Sequence, residues 1–534
     1  MTETIFRGLG CLFPVIVSLL SVRGIFHLFQ LESYQFPGYF RALKRNPKQA
    51  WLPGLYAAVA SLVLLASYWK LVRTVQSTVI GILLLVVFLL IAVAAGLGIA
   101  RIMRVQKPKK PFVITNRVKR LYAVTAILLT LFSFFFSGLG IASAVWPLAL
   151  PLLAALCGFI AWGPEKIIST YYFTSARRKL LGQKDLIRIG ITGSYGKTTV
   201  KHILGTLLSE KYAVLITPKS FNTPMGVART IRERLLPSHQ VFIAEMGARH
   251  VCDIKVLCRL TKPVMGILTS VGPQHLDTFK TVERVTKTKY DLIEALPPDG
   301  QSFFADDHAI CKLLYAKTSK PKTLVALAAG DADAWSENVS VSAEGSAFDL
   351  CFADGERLRC QTSLLGEHNI LNILLAAAVA RKLGLTKSQI QRGIRRIEPV
   401  PSRLELLKNP NSYTIINDGF NANPVGARAA LNVLRQFPER RIIVTPGMVE
   451  LGAREAELNR EFGKAIAQAA DIAVIIGKKR VQPILDGLRE AGFPEEQIHR
   501  VDSLAESTAV LRRIARKDDT VLYENDLPDN YQEY

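Results

Sequence analysis

The sequence predicts an N-terminal α-helical membrane domain followed by two α/β domains, and three observations carry that prediction. Apolar runs of membrane-crossing length crowd the first third of the 534 residues. From residue 186 a short apolar strand runs into a glycine turn and then a helix. Beyond residue 399, short apolar strands alternate with amphipathic helices, the pattern of an open, mostly parallel sheet. The expected divisions are 1–165 for the membrane domain, 166–181 for a linker, 182–398 for the first α/β domain and 399–534 for a second, Rossmann-like one.

An apolar helix needs about 20 residues to cross a bilayer. Runs 51–72, 78–100, 122–145 and 147–163 meet that length, and an earlier run, 9–29, is interrupted by Arg23 and His27. Counting all of them gives about five spans. Basic residues mark the orientation. Arg41, Lys44, Arg45 and Lys48 follow the first run, and Arg101, Arg104, Lys107, Lys109, Lys110, Arg117, Lys119 and Arg120 follow the third. The other connections are short and poor in charge. Both basic loops, and everything after residue 163, then fall on the cytoplasmic side of a multi-pass cell-membrane protein.

The formal charge of +23 admits anionic lipid, nucleotide or nucleic acid as partners. No nucleic-acid module occurs, and much of the early basic charge lies between apolar runs, so membrane lipid and nucleotide are expected and nucleic acid is not. The seven cysteines form no CxxC pair, which argues against zinc or a redox motif and for reduced, buried thiols.

Residues 186–192 (LIRIGIT) read as a buried strand, Gly193-Ser194-Tyr195-Gly196-Lys197-Thr198-Thr199 as a turn entering a helix, and 200–210 as the body of that helix. A glycine turn with Lys-Thr at a helix N-terminus is a phosphate cradle. Backbone N–H groups and the helix dipole hold oxyanions, Lys197 meets the β/γ phosphates, and Thr198 serves magnesium. The eight-residue form of this motif has one more glycine, where this chain has Ile191.

The shorter GxxGKTT form is that of the Mur ligases, and the chain resembles that family from here onward. Asn222-Thr223-Pro224-Met225-Gly226 resembles the family's substrate-side loop. Residues 241–248 (VFIAEMGA) deliver Glu245 where the family has a magnesium-binding glutamate. His275 ends a strand in the family's His-Leu-Asp pattern, and Lys289 stands 14 residues later, where the family has a carbamylated lysine that helps bind a second magnesium. After Asp306-Asp307, the segment Gly366-Glu367-His368-Asn369-Ile370-Leu371-Asn372 resembles the family's adenine-binding helix. Ser402-Arg403-Leu404-Glu405 resembles the hinge into the C-terminal domain, with Arg403 as the clamp on the terminal phosphate. In Asp418-Gly419-Phe420-Asn421-Ala422-Asn423-Pro424, Asp418 is placed to hold the ribose, and Phe420 replaces the usual tyrosine.

The resemblance implies an ATP-dependent ligase that makes an amide bond through an acyl phosphate. Lys197, Lys289, His275 and Arg403 would be catalytic. Thr198, Glu245, His275 and Lys289 would hold magnesium, two ions in all, with Lys289 as a carbamate. The nucleotide would meet residues 193–199, His368, Asn369, Asn372, Arg403 and Asp418. The Asn421–Pro424 segment and Gly447-Met448-Val449-Glu450-Leu451-Gly452 are most similar to the branch that joins D-alanyl-D-alanine to a muramoyl peptide in peptidoglycan synthesis.

Two departures from the family are legible. Apolar runs stand where the family has a domain for the UDP-sugar, which leaves the donor UDP-linked or lipid-linked. The last strand is followed in that branch by Lys-Gly-Ser-Arg, whereas here it reads Tyr523-Glu524-Asn525-Asp526. That acidic run is a solvated tail or a selector of a cationic amine acceptor. Alternatives are a ligase akin to folylpolyglutamate, poly-γ-glutamate or cyanophycin synthases, and a non-catalytic membrane scaffold.

Overall fold

The computed structural model describes residues 8–75, 77–103, 111–306, 310–407, 413–420, 422–478 and 480–526, without the side chains of 137–143 and 277. Arg104, Lys107, Lys109, Lys110, Asp307, Asn421 and the tail from Leu527 lie outside the described residues. The chain forms two compact units, Met1–Ser169 and one that begins at Thr170.

Among the described residues, four helices are long and apolar enough to cross a membrane: Pro47–Val72, Thr78–Ile102 and Asn116–Phe135 in the first unit, and the helical stretch Ala144–Leu181, which runs on past Ser169. The run at 9–29 forms two helices, Leu12–Ser21 and Arg23–Leu31, bent by 41° at their junction, which count as a fifth only if taken as one span. Small residues let these helices close. A Cβ at Gly158 would strike the Phe29 ring, and one at Gly96 would strike Leu20. Phe13, Tyr68 and Phe88 fill the interior, while Val63, Leu83, Leu90 and Ile127 face outward. An outward apolar surface of that extent implies contact with lipid or protein.

Two details differ from the sequence reading. Arg117, Lys119 and Arg120, expected in a basic loop, open the helix Asn116–Phe135, because Thr115 caps it there by accepting from the Val118 N–H. Arg120 then pairs with Glu165 at 2.6 Å, and Arg117 approaches the same carboxylate at 3.8 Å. Residues 166–181, expected as a linker, continue the helix Leu150–Leu181, which no glycine or proline interrupts after Pro164.

The second unit holds two sheets. The first contains β1 (Ile187–Thr192), β2 (Val214–Ile216), β3 (Val241–Glu245), β4 (Met265–Leu268), β5 (Gln301–Ala305), β6 (Lys322–Val325), β7 (Ala334–Ser342), β8 (Gly345–Phe352) and β9 (Arg357–Thr362). Their order is β2-β3-β1-β4-β5-β6-β7-β8-β9. The strands are parallel from β2 to β7, and β7-β8-β9 close the edge as antiparallel ribbons. The second sheet contains β10 (Glu405–Leu407), β11 (Thr414–Asp418), β12 (Arg441–Thr445), β13 (Ile472–Ile476), β14 (Ile498–Val501) and β15 (Thr520–Glu524), in the order β10-β11-β15-β12-β13-β14. All its pairs are parallel except β10 with β11.

Helices cover the first sheet. Lys197–Leu208 and Glu367–Lys382 bury Val200, Leu204, Ile373 and Leu374 against it. β1 lies between β3 and β4, so the chain leaves it toward one edge and later returns on the other side. Ligands of such sheets bind at the strand C-termini beside that reversal, and the glycine turn sits there. Of the seven free cysteines only Cys252 is exposed.

Candidate active site

The turn after β1 is shaped by its glycines. Gly193 and Gly196 have φ of 153° and 78°, where a side chain is strained. A Cβ on Gly193 would collide with the Thr269 hydroxyl, and one on Gly196 would lie 2.7 Å from Asn372 Oδ1. Ser194 donates to the Gly272 carbonyl at 3.0 Å, and Tyr195 donates through its hydroxyl to Pro273 O at 2.9 Å. The loop is thus tied to the segment after β4. Lys197 Nζ turns back to the Gly193 and Ser194 carbonyls at 2.7 and 3.0 Å, and burial lowers its ammonium to about 8.

Glu245 ends β3 beside this loop and is 1% exposed. Its Oε1 accepts from Thr198 Oγ1 at 3.1 Å and Asn222 Nδ2 at 3.0 Å. Its Oε2 accepts from Lys201 Nζ at 3.0 Å. Burial alone would raise this carboxyl, but Lys201, Lys197 and Asn222 outweigh it and hold the group below its ordinary range. A carboxylate and a hydroxyl side by side are hard oxygen donors of the kind magnesium takes. Among the described residues no group of three or more His, Cys, Asp and Glu gathers, so a magnesium ion held by Glu245 and Thr198 would draw further ligands from phosphate and water.

Lys289, in the helix Val282–Glu294, is also 1% exposed and donates to the Gly193 carbonyl at 2.7 Å. Burial first, and Lys197 second, push its ammonium well below the usual lysine value. His275 takes the left-handed backbone region, φ 52°, and its Nδ1 bonds the Glu450 carboxylate from the other sheet. The Leu276 N–H donates to the Glu450 carbonyl at 3.1 Å, so the two sheets are clasped there. Burial lowers the His275 imidazolium, against the pull of Glu450.

Above this floor lies a cavity of about 1030 Å³ lined by both sheets' loops. Tyr195, Gly196, Thr199, Asp306, His368, Asn369 and Asn372 line it from one side, and Arg403, Asp418, Phe420 and Glu524 from the other. Asn372 Nδ2 donates to Asn369 Oδ1 at 3.3 Å, and Asn369 donates onward to Leu365 O at 2.9 Å. Burial brings His368 down to about 4, so it is neutral at neutral pH. The Arg403 guanidinium lies over the Phe420 ring, 4.5 Å from its centroid. Burial raises Asp418 to about 6, with Arg403 and the Leu404 N–H holding it back.

A phosphate loop, an acidic residue on the neighbouring strand and a cavity closed by a second parallel sheet are a nucleotide-binding arrangement. The family models for the Mur ligase middle domain and the Mur ligase glutamate ligase domain match residues 191–380 and 402–523, together more than half of the chain. The chain belongs to the Mur ligase family. Among similar proteins, the UDP-N-acetylmuramoyl-tripeptide–D-alanyl-D-alanine ligase of Escherichia coli strain K12 is 30% identical over 293 residues, 54% of this chain and 64% of that protein. The enzyme of that name from Bacillus subtilis strain 168 is 26% identical over 338 residues, 63% of this chain and 72% of its own. The chain therefore spans less than two thirds of the E. coli relative. Over 67% of this chain the fold is similar to that of the MurF ligase from Thermotoga maritima, solved in complex with ADP, with a TM-score of 0.60 and 24% identity over 80% of that chain. Residues 1–190 lie outside both Mur ligase matches.

The Mur ligase residues expected from sequence separate into three groups. Thr198 and Glu245 touch, and Lys197 and Lys289 converge on Gly193 below the cavity. His368, Asn369, Asn372, Arg403 and Asp418 line the cavity itself. His275 bonds Glu450 and not Glu245. Sequence reading missed Lys201, and of its two readings of the acidic run the solvated tail does not hold at Glu524. Lys201 is 0% exposed and also donates to Lys219 O at 2.6 Å. Its spacing of four from Lys197 was the available signal, since one helical turn puts both on the face toward β3. Glu524 is not solvated: it is buried as the last residue of β15.

Proposed function

We propose that this Mur ligase is a membrane-anchored, ATP-dependent ligase that adds D-alanyl-D-alanine, or another amine, to a muramoyl peptide through an acyl phosphate during peptidoglycan precursor synthesis. The observation that carries the reading is the floor of the cleft. Lys197, the Thr198–Glu245 pair and Lys289 converge on one glycine turn, with Arg403 above them. A carboxylate does not condense with an amine unaided, because it lacks a leaving group. Phosphorylation by ATP supplies one, and the amine then displaces phosphate.

Phosphoryl transfer of this kind asks the protein for positioning and charge neutralisation. Backbone N–H groups of residues 193–199 would cradle the β/γ phosphates, with Lys197 and Arg403 on the terminal one. Asn369, Asn372 and His368 would meet the adenine, and Asp418 the ribose. Magnesium, held by Thr198 and Glu245, would neutralise charge developing on the phosphates. The reading extends to a second ion shared by His275 and a carbamylated Lys289. A buried, uncharged amine is the form that adds carbon dioxide, and Lys289 is buried beside the loop.

We further read residues 1–165 as a multi-pass domain in the cell membrane, with the α/β domains of 182–398 and 399–534 in the cytoplasm. The outward apolar faces support this, and the reading admits a lipid-linked donor as well as a UDP-linked one. The test is mass spectrometry of products from detergent-purified protein with ATP, magnesium, both donor forms and a panel of amines. A pentapeptide with ADP and phosphate is the expected result. Ligation of a different amine keeps the chemistry and changes the acceptor; no ligation of any pair overturns the reading.

A further inference from the structure

Glu524 ends β15, and in register it sits directly beside Asp418, which ends β11. Its side chain is fully buried, and among the described residues no N–H or O–H reaches either of its oxygens. The group beside it is the Asp418 carboxyl. Two ionised carboxylates are costly in such a place: neither gives the other a donor, and the interior screens their repulsion poorly. One shared proton removes both objections, because a carboxylic acid donates to a neighbouring carboxylate. The Leu404 N–H already donates to Asp418 Oδ1 at 3.2 Å, and Arg403 supplies balancing charge.

We propose that Glu524 is a positioning residue for the nucleotide, acting through Asp418: it donates the shared proton to Asp418 and fixes that carboxylate as an acceptor for the sugar hydroxyls. The inference rests on the nucleotide reading of the cleft. Glu524, Asp418 and Arg403 line the same cavity, so on that reading the pair would stand beside the phosphates as well as the sugar. Other charged groups lie on the elements around it. Arg403 precedes β10, Arg428 lines the cavity from the helix Pro424–Leu434, and Asp526 follows β15. Lys197 and Glu245 act on Arg403 from across the cleft.

With the proton in place, the pair and Arg403 carry no net charge. With the proton lost, the site is anionic and opposes the phosphates. Burial raises Asp418 to about 6 and, together with Asp418, raises Glu524 well above the usual carboxylate range. Nucleotide affinity is therefore full below the upper titration step of the pair. Above that step it falls, by up to about tenfold per pH unit.

The test is calorimetric binding of ADP to the full-length protein in detergent, from roughly pH 7 to 10, for wild type, Glu524→Gln and Glu524→Leu. The wild type is expected to lose affinity as pH rises through the upper titration step of the pair. Glu524→Gln, whose amide donates at every pH, stays flat after the titration of ADP itself is matched. Glu524→Leu, with no donor, binds about tenfold more weakly than Glu524→Gln at the low end. Identical pH profiles for wild type and Glu524→Gln overturn the inference, as does equal binding by the Gln and Leu variants. Should the Leu variant fail to fold, by circular dichroism, the wild-type and Gln profiles decide alone. If folded wild type binds no ADP at any pH, the nucleotide reading has failed, and the inference with it.

Discussion

Glu245 and Asp418 occupy the same kind of place in two sheets, the C-terminal end of a parallel strand, and their surroundings treat them in opposite ways. Glu245 receives Thr198, Asn222 and Lys201 and is held ionised. Asp418 receives one backbone N–H and faces a second buried acid, and it is held toward protonation. Sheet topology decides where such a carboxyl stands; the donors that reach it decide whether it stays freely ionised or shares a proton with a neighbour.

The sharpest way to break this contrast is to empty the Glu245 side of its working cation. Lys197→Ala is expected to slow ADP formation by about 10²–10³-fold while leaving membrane insertion unchanged, measured as nucleotide turnover and membrane fractionation. Full complementation of function in cells by that variant would instead favour the scaffold reading. Lys201→Met tests the buried pair. It strands a charge at Glu245 and is expected to cost about 3–5 kcal/mol of stability, read from denaturant melts of the full chain. The double variant Lys201→Met with Glu245→Gln removes both charges and recovers most of that loss, whereas equal losses would mean Lys201 matters only for packing. The smallest effect belongs to the other side: Phe420→Leu removes the ring under Arg403 and weakens ADP binding by about 0.5–1 kcal/mol. A larger effect would give Phe420 a direct role on the nucleotide.

The sequence made one side of this contrast more legible than the other, for a physical reason. Residues 193–199 carry their function in contiguous residue types, and Thr198 and Glu245 meet because β1 and β3 are neighbours in the sheet. The alternation of strands and helices beyond residue 399 also matches the mostly parallel sheet found there. Lys201 reads as an ordinary helix lysine until β3 brings Glu245 against it. Glu524 reads as the start of an acidic tail until β15 inserts between β11 and β12, which makes it a central-strand residue. In the first unit, composition showed the apolar runs but not their ends, because Thr115 caps a helix that hydropathy alone starts later.

The clasp between His275 and Glu450 has a consequence for opening of the cleft. Both residues sit in the left-handed region, with φ of 52° and 65°, and the adjoining Leu276–Glu450 backbone bond joins the same two loops. Widening the cleft between the sheets at this point means breaking both contacts together. Two loops whose contact residues lie 175 positions apart in the chain therefore part together or not at all.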